Sequence, residues 1–203
     1  MIGTRTPFRI SFVGGGSDMK DFYKYHDGAV LSTTIDKYIY IFIHSYFENK
    51  IQVKYSKTEL VDKIKNVEHP IVRELLNQFK QTGIDINSIA DIPSGTGLGS
   101  SSSFAVGLIH ALYAYTNKLV SSSRLAKDAS ELEINILKEP IGKQDQFAAS
   151  FGGFNIIEFE KDDSVSVNPI DINFDTKENL ILSLKQTLKS GDKILFKGSR
   201  GMA

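Results

Sequence analysis

The strongest chemical signal in the chain is the run Pro93-Ser94-Gly95-Thr96-Gly97-Leu98-Gly99-Ser100-Ser101-Ser102-Ser103. Three glycines at alternate positions let a backbone come close to a ligand. The stripe that follows, Ala105, Leu108, Ile109 and Leu112, predicts a helix whose unsatisfied N–H groups and positive dipole end would face that ligand. This is the chemistry of an anion site. It is not a Walker A loop, because no Gly-Lys-Ser/Thr closes it, and glycines at 95, 97 and 99 do not fit GxGxxG. The serine hydroxyls suit a hard cation such as Mg2+, or a phosphate. From spacing alone, a flexible Gly/Ser turn with a serine helix cap stays open as the other reading.

Two carboxylates stand further along. Glu133 follows Leu132 at the edge of a helical stripe (Leu125, Ala129, Leu132, Ile136), a place from which a carboxylate can point inward; taken alone, it reads as a solvated helix charge. Asp145 lies twelve residues later, in the polar loop KEPIGKQDQ after Pro140 and Gly142. Loop capping and function are both open for it. Together the pair offers one carboxylate for a metal and one for a hydroxyl proton, which is what phosphoryl transfer from ATP requires. Near the N-terminus, Thr6-Pro7-Phe8-Arg9 precedes Gly14-Gly15-Gly16-Ser17-Asp18 by one strand. A strand-borne guanidinium and a loop carboxylate at 18 can frame a polyol, although Arg9 taken alone reads as a surface strand charge. The histidines at 26, 44, 69 and 110 have no metal-ligand spacing and receive no chemistry.

These side chains need a scaffold. Alternation of Phe8, Ile10 and Phe12 predicts a strand from Arg5 to Val13 that leads into the first glycine loop. Residues 29–47 are rich in β-branched and aromatic side chains and predict one or two strands, with Ile51 to Tyr55 as a partner. Ile71, Val72, Leu75, Leu76 and Phe79 predict a helix from Pro70 to Thr82 stopped by Gly83, followed by a strand from Ile84 to Ile92. A hairpin is expected around Lys161-Asp162-Asp163. The expected class is α+β.

Composition limits the partners. The chain has 203 residues, 41% hydrophobic and 24% charged, enough to bury a core. Its 24 basic and 24 acidic residues cancel, so no global field holds nucleic acid or an anionic membrane, and phosphate must be held locally. Without cysteine there is no disulfide framework, thiolate metal site or cysteine nucleophile. No apolar run approaches the length of a membrane span or signal core, and the chain reads as cytoplasmic.

Three ordered stretches, TPFRISFVGGGSD, PSGTGLGSSSS and ELEINILKEPIGKQDQ, resemble the motifs of the GHMP kinase superfamily over about residues 4–160. The GGGSD loop and EPIGKQDQFAASFGGFN are most similar to its heptose 7-phosphate kinase and fucokinase-like branch. The resemblance implies a domain of the ribosomal protein S5 domain 2 type over residues 1–170. It implies ATP and Mg2+ as cofactors and a sugar phosphate as substrate, phosphorylated at the anomeric hydroxyl. By position, Asp145 matches the general base and Arg9 the basic residue beside the transferred phosphoryl. Glu133 and Ser101 match the metal site, with the serine register open by one. Pro93, Gly95, Gly97, Leu98, Gly99, Ser100, Ser101 and Ser102 match the ATP-phosphate loop, and Gly15, Gly16, Ser17 and Asp18 the sugar site.

The end of the sequence departs from the family, whose members continue into a C-terminal domain that is expected to be missing here. From about Asp175 the sequence instead resembles part of the C-terminal domain of a Mur ligase. A generic amphipathic helix (Leu180, Leu184, Leu188) turning at Gly191-Asp192 into a strand is the plainer reading, and residues 171–203 are expected to form a short αβ appendage, foreign or truncated. A domain in that state would expose apolar surface and could form a homodimer. The alternative function is a catalytically impaired domain that only binds nucleotide, sugar or a partner protein.

Overall fold

The computed structural model describes residues 1–170; the expected αβ appendage at 171–203 lies outside them. In chain order the elements are β1 (Ile2–Val13), α1 (Lys20–Tyr23), β2 (Gly28–Ser45), β3 (Ile51–Lys54), β4 (Thr58–Val61), α2 (Pro70–Phe79) and β5 (Ile84–Ala90). They continue with α3 (Ser100–Tyr115), α4 (Ser122–Ser130), a π-helical segment Glu131–Ile136, α5 (Gln144–Phe151), β6 (Phe154–Phe159) and β7 (Val165–Pro169). The strands form one sheet in the order β4-β3-β5-β2-β6-β7, with β1 paired to β2. Only the β3–β5 pair is parallel. Among the described residues no helix is long and apolar enough to cross a membrane.

The expectation of one or two strands over 29–47 resolves into a single long strand with a defect. Along β2 the inward residues are Val30 and Ser32 in the first half but Ile39, Ile41 and Ile43 in the second, so the inward parity changes between them. The change coincides with a register shift, where the step from Pro7 to Arg9 on β1 faces the longer step from Tyr38 to Thr34 on β2. Extra residues in one strand re-aim the side chains beyond them. At the same place β2 exchanges partners, from β6 (up to Thr33) to β5 (from Ile39). Arg9 sits on β1 opposite this break.

Helix α3 holds the core together. Every residue from Ser102 to Leu112 except His110 is buried. Its small residues let it lie against β1. A Cβ on Gly107 would come within 2.7 Å of Thr6 Oγ1, Thr4 Oγ1 donates to the Gly107 carbonyl (3.0 Å), and Ser103 Oγ donates to the Pro7 carbonyl (2.9 Å). Ile41, Ile43, Ile84, Ile86, Leu75, Leu76 and Leu108 pack in the same cluster. Burial of each such side chain is worth about 1.5–3 kcal/mol. A second cluster of Tyr23, Val30, Phe147, Ile157 and Phe159 seats α5 on β6.

Several ends differ from expectation. Helix α2 stops at Phe79 because Lys80, at φ 53, already takes the left-handed cap, while Gly83 (φ 61) serves the turn into β5. The helix expected through Ile136 ends at Ser130 and continues as the π-helical segment, which leaves Ile136 39% exposed instead of in the stripe. The sequence KEPIGKQDQ is not all loop: its last three residues begin α5. Asp18 sets that beginning. Its Oδ2 accepts from the Gln144 N–H (3.1 Å), and its Oδ1 accepts from Gln144 Nε2 (3.1 Å) and from the Gly16 N–H (3.0 Å).

A Cβ added at Gly142 would lie 2.0 Å from Asp18 Oδ2, whereas one added at Gly15 meets only Gln144 Nε2 at 3.7 Å. Gly142→Ala should therefore cost about 1–3 kcal/mol through displacement of Asp18, and Gly15→Ala should stay within about 0.5 kcal/mol of wild type. Urea unfolding midpoints of the two variants test this, and equal midpoints would dismiss the close approach.

His69 supplies a second test. Its ring stacks on Phe104 (centroids 4.8 Å) and meets the edge of Tyr55 (4.9 Å), with Nδ1 buried and unpartnered among the described residues. Burial pushes its pKa below the ordinary histidine value, against the opposing pull of Glu59. The folded state therefore favours the neutral ring. Its contribution to stability is complete above the unfolded value of about 6.5 and is lost as pH falls through the folded one. His69→Phe should flatten the fall in melting temperature between about pH 7 and 5, and a fall as steep as in wild type would exclude His69 as its source.

Candidate active site

The 93–99 loop leaves β5 and ends at the first turn of α3, the strand-loop-helix order expected. Gly95, Gly97 and Gly99 all adopt left-handed backbone, at φ 83, 75 and 77. Additional Cβ atoms at Gly95 and Gly97 would meet nothing within 4 Å, so the loop's outer side is open. Leu98 is 4% exposed and anchors the loop in the core. Gly99 is the N-cap of α3 and offers no side chain to the helix end. The first-turn N–H groups of Ser100 to Ser102 have no carbonyl within the helix to meet and are directed toward the mouth of the loop.

Arg9 ties this loop to the carboxylate at 145. Its Nε donates to Asp145 Oδ1 and its Nη2 to Asp145 Oδ2, both at 2.7 Å, while Nη1 donates to the Gly97 carbonyl at 2.8 Å. The Arg9 backbone N–H also reaches the Leu98 carbonyl (3.2 Å). The two side chains are 13% and 22% exposed, so the pair stands at the surface of the loop rather than in the core. A Cβ on Gly99 would lie 3.3 Å from Asp145 Oδ2. Asp145 was expected in a loop, and the structure places it in the first turn of α5, where an acidic side chain suits the positive end of the helix. The helix is two turns long, too short for a periodic pattern to announce it.

Glu133 is 1% exposed, inside the molecule rather than at the edge of a stripe. The π-helical winding of 131–136 brings both Leu132 and Glu133 to buried positions. Its Oε1 accepts from Ser101 Oγ (2.6 Å), and its Oε2 accepts from Ser102 Oγ (2.7 Å) and Gln146 Nε2 (2.6 Å). Both central serines of the run thus face the carboxylate, while Ser103 is committed to Pro7. Ser101 Oγ and Glu133 are hard oxygen donors, the type Mg2+ takes. Among the described residues no three histidines, cysteines or carboxylates gather as a metal cage. A cation here would draw on few protein ligands plus phosphate oxygens, which is the habit of Mg2+.

The first glycine loop faces the same region differently from expectation. Gly15 and Gly16 are exposed. Ser17 Oγ donates to the Gly14 carbonyl (2.7 Å) and accepts from the Ala29 N–H (3.1 Å), and Asp18 is 2% exposed with its oxygens occupied as described above. Ser17 and Asp18 therefore hold the turn from within. Residues that sequence reasoning passed over complete the site: Ser11 Oγ donates to Gln144 Oε1 (2.7 Å), and Gln146 reaches Glu133. The two glutamines flanking Asp145 were the available signal. Behind the α5 N-terminus, Lys143 and the Tyr23 hydroxyl both donate to Asp163 Oδ1 (2.7 and 2.6 Å) beside a cavity of about 460 Å3. Burial pushes the Asp163 carboxyl up, but those two donors outweigh it and hold the group below the usual range.

Residues 59–153 match the family described as GHMP kinases N terminal domain. The chain is 34% identical over 186 residues to the D-glycero-alpha-D-manno-heptose 7-phosphate kinase of Campylobacter jejuni, covering 84% of this chain and 54% of that one. Its fold superposes with a TM-score of 0.78 on a D-glycero-D-manno-heptose 1-phosphate kinase from Bacteroides thetaiotaomicron, at 27% identity over 85% of this chain and 61% of that one. A sugar kinase structure from Campylobacter jejuni gives 0.69 at 31% identity, covering 85% and 56%. The chain spans about half the length of the curated relatives it matches. Together these matches show that the chain carries a GHMP kinase N-terminal domain.

Proposed function

We propose that this chain contributes the phosphate loop, the proton acceptor and the metal carboxylate of an ATP-dependent sugar kinase. The observation that carries the reading is the convergence on Arg9 of an open glycine loop and a first-turn carboxylate. ATP, generally with Mg2+, is the donor used by GHMP kinases. The loop N–H groups and the head of α3 would cradle its phosphates. Bound Mg2+ would neutralise phosphate charge, and Ser101 with Glu133 would hold it. A sugar hydroxyl set against the exposed backbone of Gly15 and Gly16 would lie at the mouth of the loop, with Asp18 holding that turn from behind.

The chemistry follows from these positions. As the hydroxyl oxygen attacks the γ-phosphorus, its proton passes to an Asp145 oxygen and the bond from γ-phosphorus to the bridging oxygen breaks, releasing ADP. Arg9 keeps Asp145 aimed at the acceptor and sets a fixed positive charge beside the phosphoryl group in transit. The acceptor we assign is the anomeric hydroxyl of a heptose 7-phosphate. Its support is the identity with the Campylobacter heptose 7-phosphate kinase, together with the GGGSD loop.

Gly97→Val should lower ATP affinity about tenfold or more, the loss of roughly 1.4 kcal/mol of contact. Its Cβ would meet no neighbour within 4 Å, but at φ 75 a β-branched residue is strained, so valine would both disturb the loop backbone and project into the space where phosphates approach. Calorimetric titration with ATP checks this, and unchanged affinity would remove the loop from the site. Asp145→Asn should reduce turnover by about 10²–10⁴ while nucleotide still binds. An ADP-release assay with heptose 7-phosphate, galactose and mevalonate measures that loss and tests the acceptor together. Full turnover in the variant would exclude Asp145 as the base, and preference for another acceptor would reassign the substrate.

A further inference from the structure

We propose that Gln146, with Ser102, is a positioning residue that pins Oε2 of Glu133, so that Oε1 and the Ser101 hydroxyl form the oxygen pair offered to a divalent cation. The inference rests on the phosphoryl-transfer reading above. Each carboxylate oxygen accepts about two hydrogen bonds. Oε2 has both, from Ser102 Oγ and Gln146 Nε2, and is saturated; Oε1 has one, from Ser101 Oγ. Ser101 directs its single hydroxyl proton at Oε1 and keeps its oxygen lone pairs. The lone pairs left for a cation are therefore on Oε1 and on Ser101 Oγ, side by side.

The orientation of the Gln146 amide is fixed by charge. With its two ends exchanged, its oxygen would face the carboxylate, and the nitrogen would lie where Oε1 of Gln146 now stands buried and without a partner among the described residues. Gln146 is 0% exposed and directly follows Asp145 on α5. The same helical turn thus sets both the proton acceptor and, through one amide, the metal carboxylate. A buried carboxylate lacking such donors would turn toward whatever donors remain. Outer partners of metal ligands typically govern metal affinity by 10–100-fold.

The test is calorimetric titration of the full chain with ADP, in EDTA and in Mg2+, for wild type, Gln146→Leu and Ser102→Ala. Leucine fills the volume and removes the donor; alanine at 102 removes the other donor to Oε2 while keeping the loop N–H. Wild type should bind ADP more tightly with Mg2+. Gln146→Leu should shrink that gain roughly 10-fold with ADP binding in EDTA unchanged, and Mn2+ binding followed by paramagnetic resonance should weaken in step. Should Gln146→Leu fail to fold, Ser102→Ala reads the same quantity and should move it in the same direction. Equal losses with and without Mg2+ would mean a merely structural residue and overturn the inference, as would an unchanged gain in both variants. A wild type that gains nothing from Mg2+ would overturn the phosphoryl-transfer reading and the inference with it.

Discussion

The fork of Arg9 is the contact on which the rest of the site depends. A planar guanidinium can give two parallel hydrogen bonds to a carboxylate and a third in another direction, which a lysine ammonium cannot reproduce. Here those bonds join the strand of Arg9 to a loop 88 residues and a helix 136 residues further along the sequence. Long-range order of this kind is costly to close, and the molecule meets the cost with the packing behind it. The bulge in β2 aims the strand, Leu98 anchors the loop, and Asp18 fixes where α5 starts. Each support lies one residue shell away from the chemistry.

Three of the four buried carboxylates among the described residues follow a common rule; the fourth, Asp85, pairs with Lys54 Nζ at 3.0 Å. Asp18, Glu133 and Glu59 all lie inside, and each is satisfied by uncharged donors: backbone N–H groups, hydroxyls or an amide. Asp145, paired with a cation, is the more exposed one. Neutral donors satisfy a buried carboxylate without bringing a second charge out of water, whereas a deep ion pair would desolvate two. The arrangement also leaves the compensating charge for Glu133 to come from a ligand. At the site, the interior provides fixed acceptors and the mouth provides mobile charge.

Much of this was legible in the sequence, for physical reasons that differ from residue to residue. Glycines at 95, 97 and 99 announce left-handed backbone, and the apolar stripe after them announces the helix, because both signals are local. The motif residues at 9, 101, 133 and 145 could be named, and the structure brings 9 to 145 and 101 to 133. What could not be read depends on partners distant in the chain. The parity change in β2 exists because Pro7 and Arg9 pair across it. The cap at Asp18 belongs to a helix 126 residues away. Glu133 is turned inward by one extra residue per turn, which no period of 3.6 contains. Lys80 takes a cap that glycine at 83 seemed to claim. Ser11, Gln144 and Gln146 carry no signature of their own; only the flanking of Asp145 by the two glutamines hinted at a role.

The burial of α3 has a consequence for motion. Ten of its residues are shielded from water, so their amides can exchange with solvent only through openings that disrupt the sheet as well, the rarest the domain has. A few residues earlier, Gly95 and Gly97 are exposed, with open space where a Cβ would stand and the Gly97 carbonyl held by Arg9. Along less than ten residues the chain therefore passes from exposed backbone, which opens at little cost, to the most protected backbone of the domain. A phosphate arriving at the loop would meet a flexible rim over a rigid floor: the rim can wrap the ligand, and the floor cannot yield to it.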